Sequence, residues 1–150
     1  MRRAGKRFAV VTYDFLSIHN ASDNSVDDYV NFGGSFEDPW AFDGVAWSPD
    51  NKRLIAWTYD AFFLVDLEGG DILFLDVPEG VTEGTWSPSG VRYAVALADG
   101  RVLVFNYAAN TFELEFKAHD VATTIDWSHD QQFLATGGEV PRLAVWRLDY

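Results

Sequence analysis

The chain has 150 residues, no cysteine and a net charge of −12, from 11 basic against 23 acidic side chains. The absence of cysteine excludes a disulfide framework and a thiolate metal site. The acidic excess argues against nucleic-acid binding, which needs clustered basic residues, and favours either basic protein partners or simply solubility.

The first predicted strand follows the N-terminal basic residues. Residues 6–14 match residues 52–60 at an offset of 46, which marks a partial first copy of a repeated unit. The segment 20–28 is polar and poor in strand-forming residues, so we expect an exposed loop there. This partial unit spans residues 6–40.

A short sequence motif, which we call the Trp-Ser phrase, then occurs three times along the chain. It reads Trp47-Ser48-Pro49-Asp50, Trp86-Ser87-Pro88-Ser89 and Trp127-Ser128-His129-Asp130, and the tryptophans lie 39 and 41 residues apart. Such a period indicates stacked supersecondary units. The units that follow span 41–78, 79–118 and 119–150, the last one partial.

Each full unit contains four short apolar runs that turn residues separate. In the unit of Trp47 these runs are centred on residues 44–47, 54–58, 62–66 and 72–76. Spacings near ten residues with Pro, Asp and Gly between the runs are typical of an antiparallel β-meander. The sequence therefore predicts an all-β fold of four-stranded antiparallel blades, a partial β-propeller with about 3.5 blades.

The last unit resembles a WD40 repeat. The resemblance is carried by His119-Asp120, Ile125-Asp126-Trp127-Ser128, Leu134-Ala135-Thr136-Gly137-Gly138 and Leu143-Ala144-Val145-Trp146-Arg147. The middle units also resemble the propeller blades of TolB and prolyl oligopeptidase, through their Trp-Ser-Pro phrases.

The WD40 resemblance implies a hydrogen-bonded network within a blade. In the family, the network joins a His before the first strand, a Ser or Thr in the second, an Asp in a tight turn and a Trp in the third. His119, Thr136 and Trp146 match three of these roles in the last unit. The turn aspartates belong to the other units, which lack the histidine; they are Asp14, Asp60 and Asp99.

The number of blades does not decide how the propeller ring is completed. Propellers typically have four to eight blades, so three arrangements compete: part of a longer propeller, a half-propeller that assembles with a second copy, and a minimal closed ring. Unpaired strand edges at the ends of an open arc demand partners, which favours assembly or a longer chain.

No residue pattern points to catalysis, a metal or a cofactor. The three histidines lie in unrelated positions, and serines that recur in every unit are expected to be structural. No apolar stretch is long enough to predict a membrane span, and no signal-peptide pattern is present, so we expect a cytoplasmic protein without membrane partners.

We therefore predict a non-catalytic scaffold that binds proteins. The alternative is the propeller portion of a larger hydrolase or TolB-like translocation protein, which gates or positions substrate. The family resemblance implies that partners dock on the loops that join blades. The candidate contacts on that basis are Phe36, Trp40, Tyr59 and His119.

Overall fold

The structure is a computed structural model, which describes residues 6–12, 15–33, 41–78, 80–139 and 142–149. These residues contain fourteen β-strands and no helix. Strands that follow one another in sequence pair antiparallel, which gives two sheets of three strands and two of four. The prediction of an all-β fold of partial β-propeller blades is thereby confirmed.

The strands are numbered in chain order. Sheet 1 contains β1 (Arg7–Val11), β2 (Leu16–Asn20) and β3 (Val26–Val30). Sheet 2 contains β4 (Gly44–Trp47), β5 (Arg53–Trp57), β6 (Phe62–Asp66) and β7 (Ile72–Leu75). Sheet 3 contains β8 (Val81–Trp86), β9 (Arg92–Leu97), β10 (Arg101–Asn106) and β11 (Thr111–Lys117). Sheet 4 contains β12 (Ala122–Trp127), β13 (Phe133–Gly138) and β14 (Leu143–Arg147).

The predicted loop over residues 20–28 is wrong at its C-terminal end, where β3 begins at Val26. The strand was hidden because its residues are polar or exposed except Val30, which is 7% exposed and packs against sheet 2. An outer strand needs only one buried contact and a paired neighbour, so its amino-acid composition hardly distinguishes it from a loop.

The sheets stack face to face in chain order, and each neighbouring pair shares a hydrophobic core. Along β5, Leu54 and Ala56 face sheet 1, whereas Ile55 and Trp57 face sheet 3. This alternation is the two-residue period of a strand, and here it buries both faces. The first strand of sheet 4, β12, packs in the same way against β8 and β9 of sheet 3.

The repeated Trp-Ser phrase forms the same turn three times. In the first copy, the Ser48 hydroxyl accepts a hydrogen bond from the Arg53 amide at 3.0 Å and donates to Asp50 Oδ1 at 2.6 Å. The amides of Arg92 and Phe133 donate in the same way to Ser87 and Ser128, each at 3.0 Å. The serines therefore hold the turns between the first and second strands of their sheets.

Candidate interaction face

One end of the stacked sheets is built from turns and connections that hydrogen-bond to one another. We call it the connection face: the turns 58–61 and 98–100, and the connections around Gly80 and His119. The Gly80 amide donates to the Tyr59 carbonyl at 2.8 Å, and the Gly80 carbonyl accepts from Ala98. These backbone bonds tie sheet 2 to sheet 3, so side chains on this face are held by fixed backbone.

Sheets 3 and 4 are joined on the same face through Gly100. Its carbonyl accepts from the Ala118 amide at 2.9 Å and from the His119 amide at 3.4 Å. Gly100 has φ of +87°, and a Cβ there would overlap the His119 carbonyl oxygen. Only glycine fits this close approach in this backbone conformation, so Gly100 places the His119 connection.

His119, Thr136 and Trp146 come together in sheet 4. His119 Nε2 lies 2.9 Å from Thr136 Oγ1, and Trp146 Nε1 donates to the same hydroxyl oxygen at 2.9 Å. Thr136 is fully buried, and the Trp146 ring packs on Phe116 of sheet 3 with centroids 5.0 Å apart. The three polar groups therefore form one connected chain inside the sheet.

The turn aspartates take other partners. Asp99 accepts from the Arg101 amide at 3.1 Å and from Arg101 Nε at 2.7 Å. Partial desolvation raises the pKa of Asp99, but the hydrogen bonds from Arg101 outweigh this effect and leave the pKa below its ordinary value. Asp60 is exposed in the turn of sheet 2, and its amide donates to Thr58 Oγ1 at 3.2 Å. Asp14 lies outside the described residues.

Two of the four candidate contact residues can be placed, and both lie on the connection face. The Tyr59 side chain is 55% exposed, although its carbonyl is held by the amides of Gly80 and Val81. His119 is half-buried because its ring belongs to the hydrogen-bonded chain with Thr136. Phe36 and Trp40 lie outside the described residues.

An open cleft of about 740 Å³ lies beside His119 on the side of sheet 4. Its lining mixes charges of both signs with apolar groups and includes Lys117, Asp120, Arg142 and Trp146. The connection face therefore continues into a concave surface next to the histidine.

Two contacts between sheets 3 and 4 were not anticipated from the sequence. Thr82 Oγ1 donates to the Ala122 carbonyl at 2.7 Å, and Glu83 Oε2 accepts from the Ile125 amide at 3.1 Å. Both residues lie where the register of β8 shifts against β9. A bulge that turns polar side chains toward a neighbouring sheet leaves no pattern in a single sequence.

The described residues bring together one serine–histidine pair and no cluster of metal-binding side chains. Among them, no group of three or more His, Cys, Asp or Glu side chains is placed to hold a metal. Ser17 Oγ lies 2.8 Å from His19 Nε2, and His19 Nδ1 lies 3.2 Å from the Asn24 carbonyl oxygen. Ser17 is only 4% exposed, so its hydroxyl is largely shielded from solvent.

No helix within the described ranges is long and apolar enough to cross a membrane.

Comparison with known proteins agrees with this geometry. The family model for the WD domain, G-beta repeat (WD40) matches residues 110–139, which run from β11 to the end of β13. A 53-residue stretch, 35% of the chain, is 40% identical to Polyadenylation factor subunit 2 of Saccharomyces cerevisiae and covers 11% of that protein. The match thus spans about a tenth of the relative's length. The family match and the repeated antiparallel sheets together support a WD40-like β-propeller repeat.

Proposed function

We propose that the chain is a non-catalytic protein-interaction scaffold whose partner docks on the connection face. The observation that carries this proposal is Tyr59: a 55% exposed aromatic ring on a backbone that Gly80 and Val81 hold by hydrogen bonds. A rigid, exposed aromatic side chain is a typical anchor of protein interfaces, because little conformational entropy is lost when it binds.

The charge of this face favours a basic partner. Asp60 and Asp120 are exposed on the turns and connections of this face, whereas the exposed Asp99 is paired with Arg101. Complementary charges on a partner speed encounter and reject acidic competitors. The net charge of −12 acts in the same direction, and it disfavours nucleic acid and anionic membranes.

We also propose that further blades cover the two outer faces of the stack, from a second copy or from additional chain. Apolar side chains on those faces support this: Leu143 and Val145 on sheet 4 are 77% and 62% exposed, and Phe8 and Val10 on sheet 1 are each 36% exposed. The yeast relative is by name a subunit of a polyadenylation factor, which fits a role in an assembly.

The docking proposal is tested by affinity capture with a matched pair of tyrosine variants. Tyr59→Ala removes the proposed anchor, whereas Tyr29→Ala removes a 62% exposed tyrosine of β3. We expect Tyr59→Ala, and more so Tyr59→Ala with Asp60→Lys, to lose proteins that Tyr29→Ala retains. Identical captured proteins for both single variants would contradict docking at Tyr59.

The assembly proposal is tested by sedimentation equilibrium of the 16.9 kDa chain. We expect self-association that Val145→Lys weakens, since burying a charge in an apolar interface is costly. A strictly monomeric chain with a single cooperative unfolding transition would exclude the second copy and leave additional chain as the source of further blades.

A further inference from the structure

The outer strand of sheet 2 is apolar throughout and open to solvent. β7 reads Ile72-Leu73-Phe74-Leu75, and Ile72, Leu73 and Phe74 are 37%, 44% and 54% exposed. It pairs with β6 on one side, and no described strand pairs with its other edge. An exposed apolar edge strand is a template for another strand.

The outer strands of sheets 1 and 3 are protected by charge. β3 carries Asp27 and Asp28, and β11 alternates apolar residues with Glu113, Glu115 and Lys117. Charged side chains on an edge strand discourage pairing with a foreign strand. β7 has no charged residue between Asp71 and Asp76, so the protection present on β3 and β11 is absent here.

The register of sheet 2 shows which backbone groups β7 offers. The Asp66 amide donates to the Asp71 carbonyl at 2.8 Å, so residues 66 and 71 form a hydrogen-bonded pair. Hydrogen-bonded pairs alternate along antiparallel strands, and the next one joins Leu64 to Leu73. The N–H and C=O groups of Ile72 and Phe74 therefore point away from β6 toward the open edge.

The charges at the two ends of β7 select the occupant. Asp71 and Asp76 are exposed and flank the apolar strand. A second copy paired antiparallel through β7, with Ile72 opposite Phe74, would place Asp71 of one chain opposite Leu75 of the other, beside its Asp76. No basic residue lies between Leu67 and Pro78 to offset these charges, so the like charges gathered at both ends disfavour this pair. A foreign strand with basic residues at both ends would instead meet complementary charges.

We propose that β7 binds an extended segment of a partner protein, with apolar residues at alternate positions and Lys or Arg at both ends, as an added fifth strand. Backbone hydrogen bonds to Ile72 and Phe74 would give affinity, and the exposed apolar side chains would give packing. This inference rests on the proposed scaffold function, but it assigns a surface separate from Tyr59.

The experiment uses a fluorescein-labelled peptide of alternating Val and Thr residues with Lys at both ends. Fluorescence anisotropy measures its binding to the full chain at low ionic strength. We expect it to bind at least about tenfold more tightly than the same peptide with Glu at both ends. A version methylated at all Val and Thr amide nitrogens should not bind, because it cannot pair with a strand edge.

Two phenylalanine variants provide the matched comparison. Phe74 and Phe112 are each 54% exposed on outer strands. Each also makes an edge contact with a neighbouring phenylalanine, at centroid distances of 5.5 Å and 5.6 Å. Phe74→Lys should weaken peptide binding by about tenfold or more, whereas Phe112→Lys should leave it unchanged. Near-UV circular dichroism checks that both variants keep the native fold.

The remaining outcomes are decisive. Equal binding of the Lys and Glu peptides, or equal effects of the two variants, would overturn the proposal. Self-association that Phe74→Lys abolishes would assign the edge to a second copy and overturn it as well. Absence of peptide binding, with Tyr59-dependent capture intact, would reject the β7 site and leave the scaffold function standing.

Discussion

The Trp146 indole donates its N–H to the Thr136 hydroxyl across 2.9 Å, on the neighbouring strand of sheet 4. The same hydroxyl oxygen lies 2.9 Å from His119 Nε2, which belongs to the connection before the sheet. Thr136 thus joins the connection face to the third strand of its sheet through one buried oxygen.

Replacement of Thr136 by Val should destabilise the fold by about 1–3 kcal/mol, because it leaves the partners of a buried hydroxyl unsatisfied. Thr136→Ser keeps the hydroxyl and should recover most of the loss. Urea unfolding followed by circular dichroism measures both. The control is Thr124→Val, an exposed threonine of β12, for which we expect a change within about 0.5 kcal/mol. An equal loss for both valine variants would show that the network adds no stability.

Gly100→Ala should displace the connection that carries His119. The residue has φ of +87°, and its new Cβ would overlap the His119 carbonyl. Gly70→Ala is the control, since Gly70 has φ of +75° and no atom near its Cβ position. We expect Gly70→Ala to cost about 1 kcal/mol from the backbone conformation alone. Gly100→Ala should cost a further 1–3 kcal/mol, roughly, from the clash. Equal midpoints of thermal unfolding would rule out the clash.

Ser87→Ala tests the turn that the Trp-Ser phrase forms. Ser87 is fully buried, and its hydroxyl accepts from the Arg92 amide at 3.0 Å. Loss of this acceptor should cost about 1–2 kcal/mol, because the part-buried Arg92 amide loses its hydrogen bond to the turn. Ser22→Ala, in an exposed turn of sheet 1, should be nearly neutral. Chemical denaturation measures the free energy of unfolding of both variants. An unchanged stability of Ser87→Ala would show that the serine does not hold the turn.

Asp66→Asn should change how stability depends on pH. The amides of Gly69 and Glu68 donate to Asp66 Oδ1 and hold its pKa below the ordinary value. A carboxylate whose pKa is lowered by folding stabilises the protein above its unfolded pKa, and the contribution disappears as pH falls through the folded pKa. The variant should therefore be less stable than wild type near pH 7, by under about 1 kcal/mol for this partly exposed group.

The stability difference between Asp66→Asn and wild type should then shrink as the pH falls below about 4. Urea unfolding at several pH values measures it. Asp71→Asn is the control, because it removes one negative charge at the other end of the same turn. A difference that stays constant across the pH range would contradict the role of the Asp66 carboxylate.

Much of the fold follows from local sequence pattern. Apolar runs about ten residues apart, with Pro and Gly between them, predict the strands and turns because pairing of consecutive strands needs only short connections. The repeated Trp-Ser phrase also indicates correctly that its serines belong to turns. The strand at Val26 was missed, since an outer strand with one buried residue has almost no apolar signal.

The candidate site was less accessible from sequence. His119, Thr136 and Trp146 were selected by family resemblance, while their contact depends on the register that places Thr136 opposite Ala144, two residues before Trp146. The residues next to Tyr59 in the sequence did not indicate that its side chain is exposed. Thr82 and Glu83 were missed because a register shift turned them toward sheet 4.

The all-β architecture and the repetition of the unit follow from local sequence, because strand alternation and turn chemistry are properties of neighbouring residues. Which apolar strands are covered depends instead on how the sheets pack. β5 and β7 are both strongly apolar, yet Leu54 and Ile55 are fully buried while Phe74 is 54% exposed. The physical reason is that burial depends on position within the sheet and on the sheet that packs against it, and both are set by contacts between residues far apart in the chain.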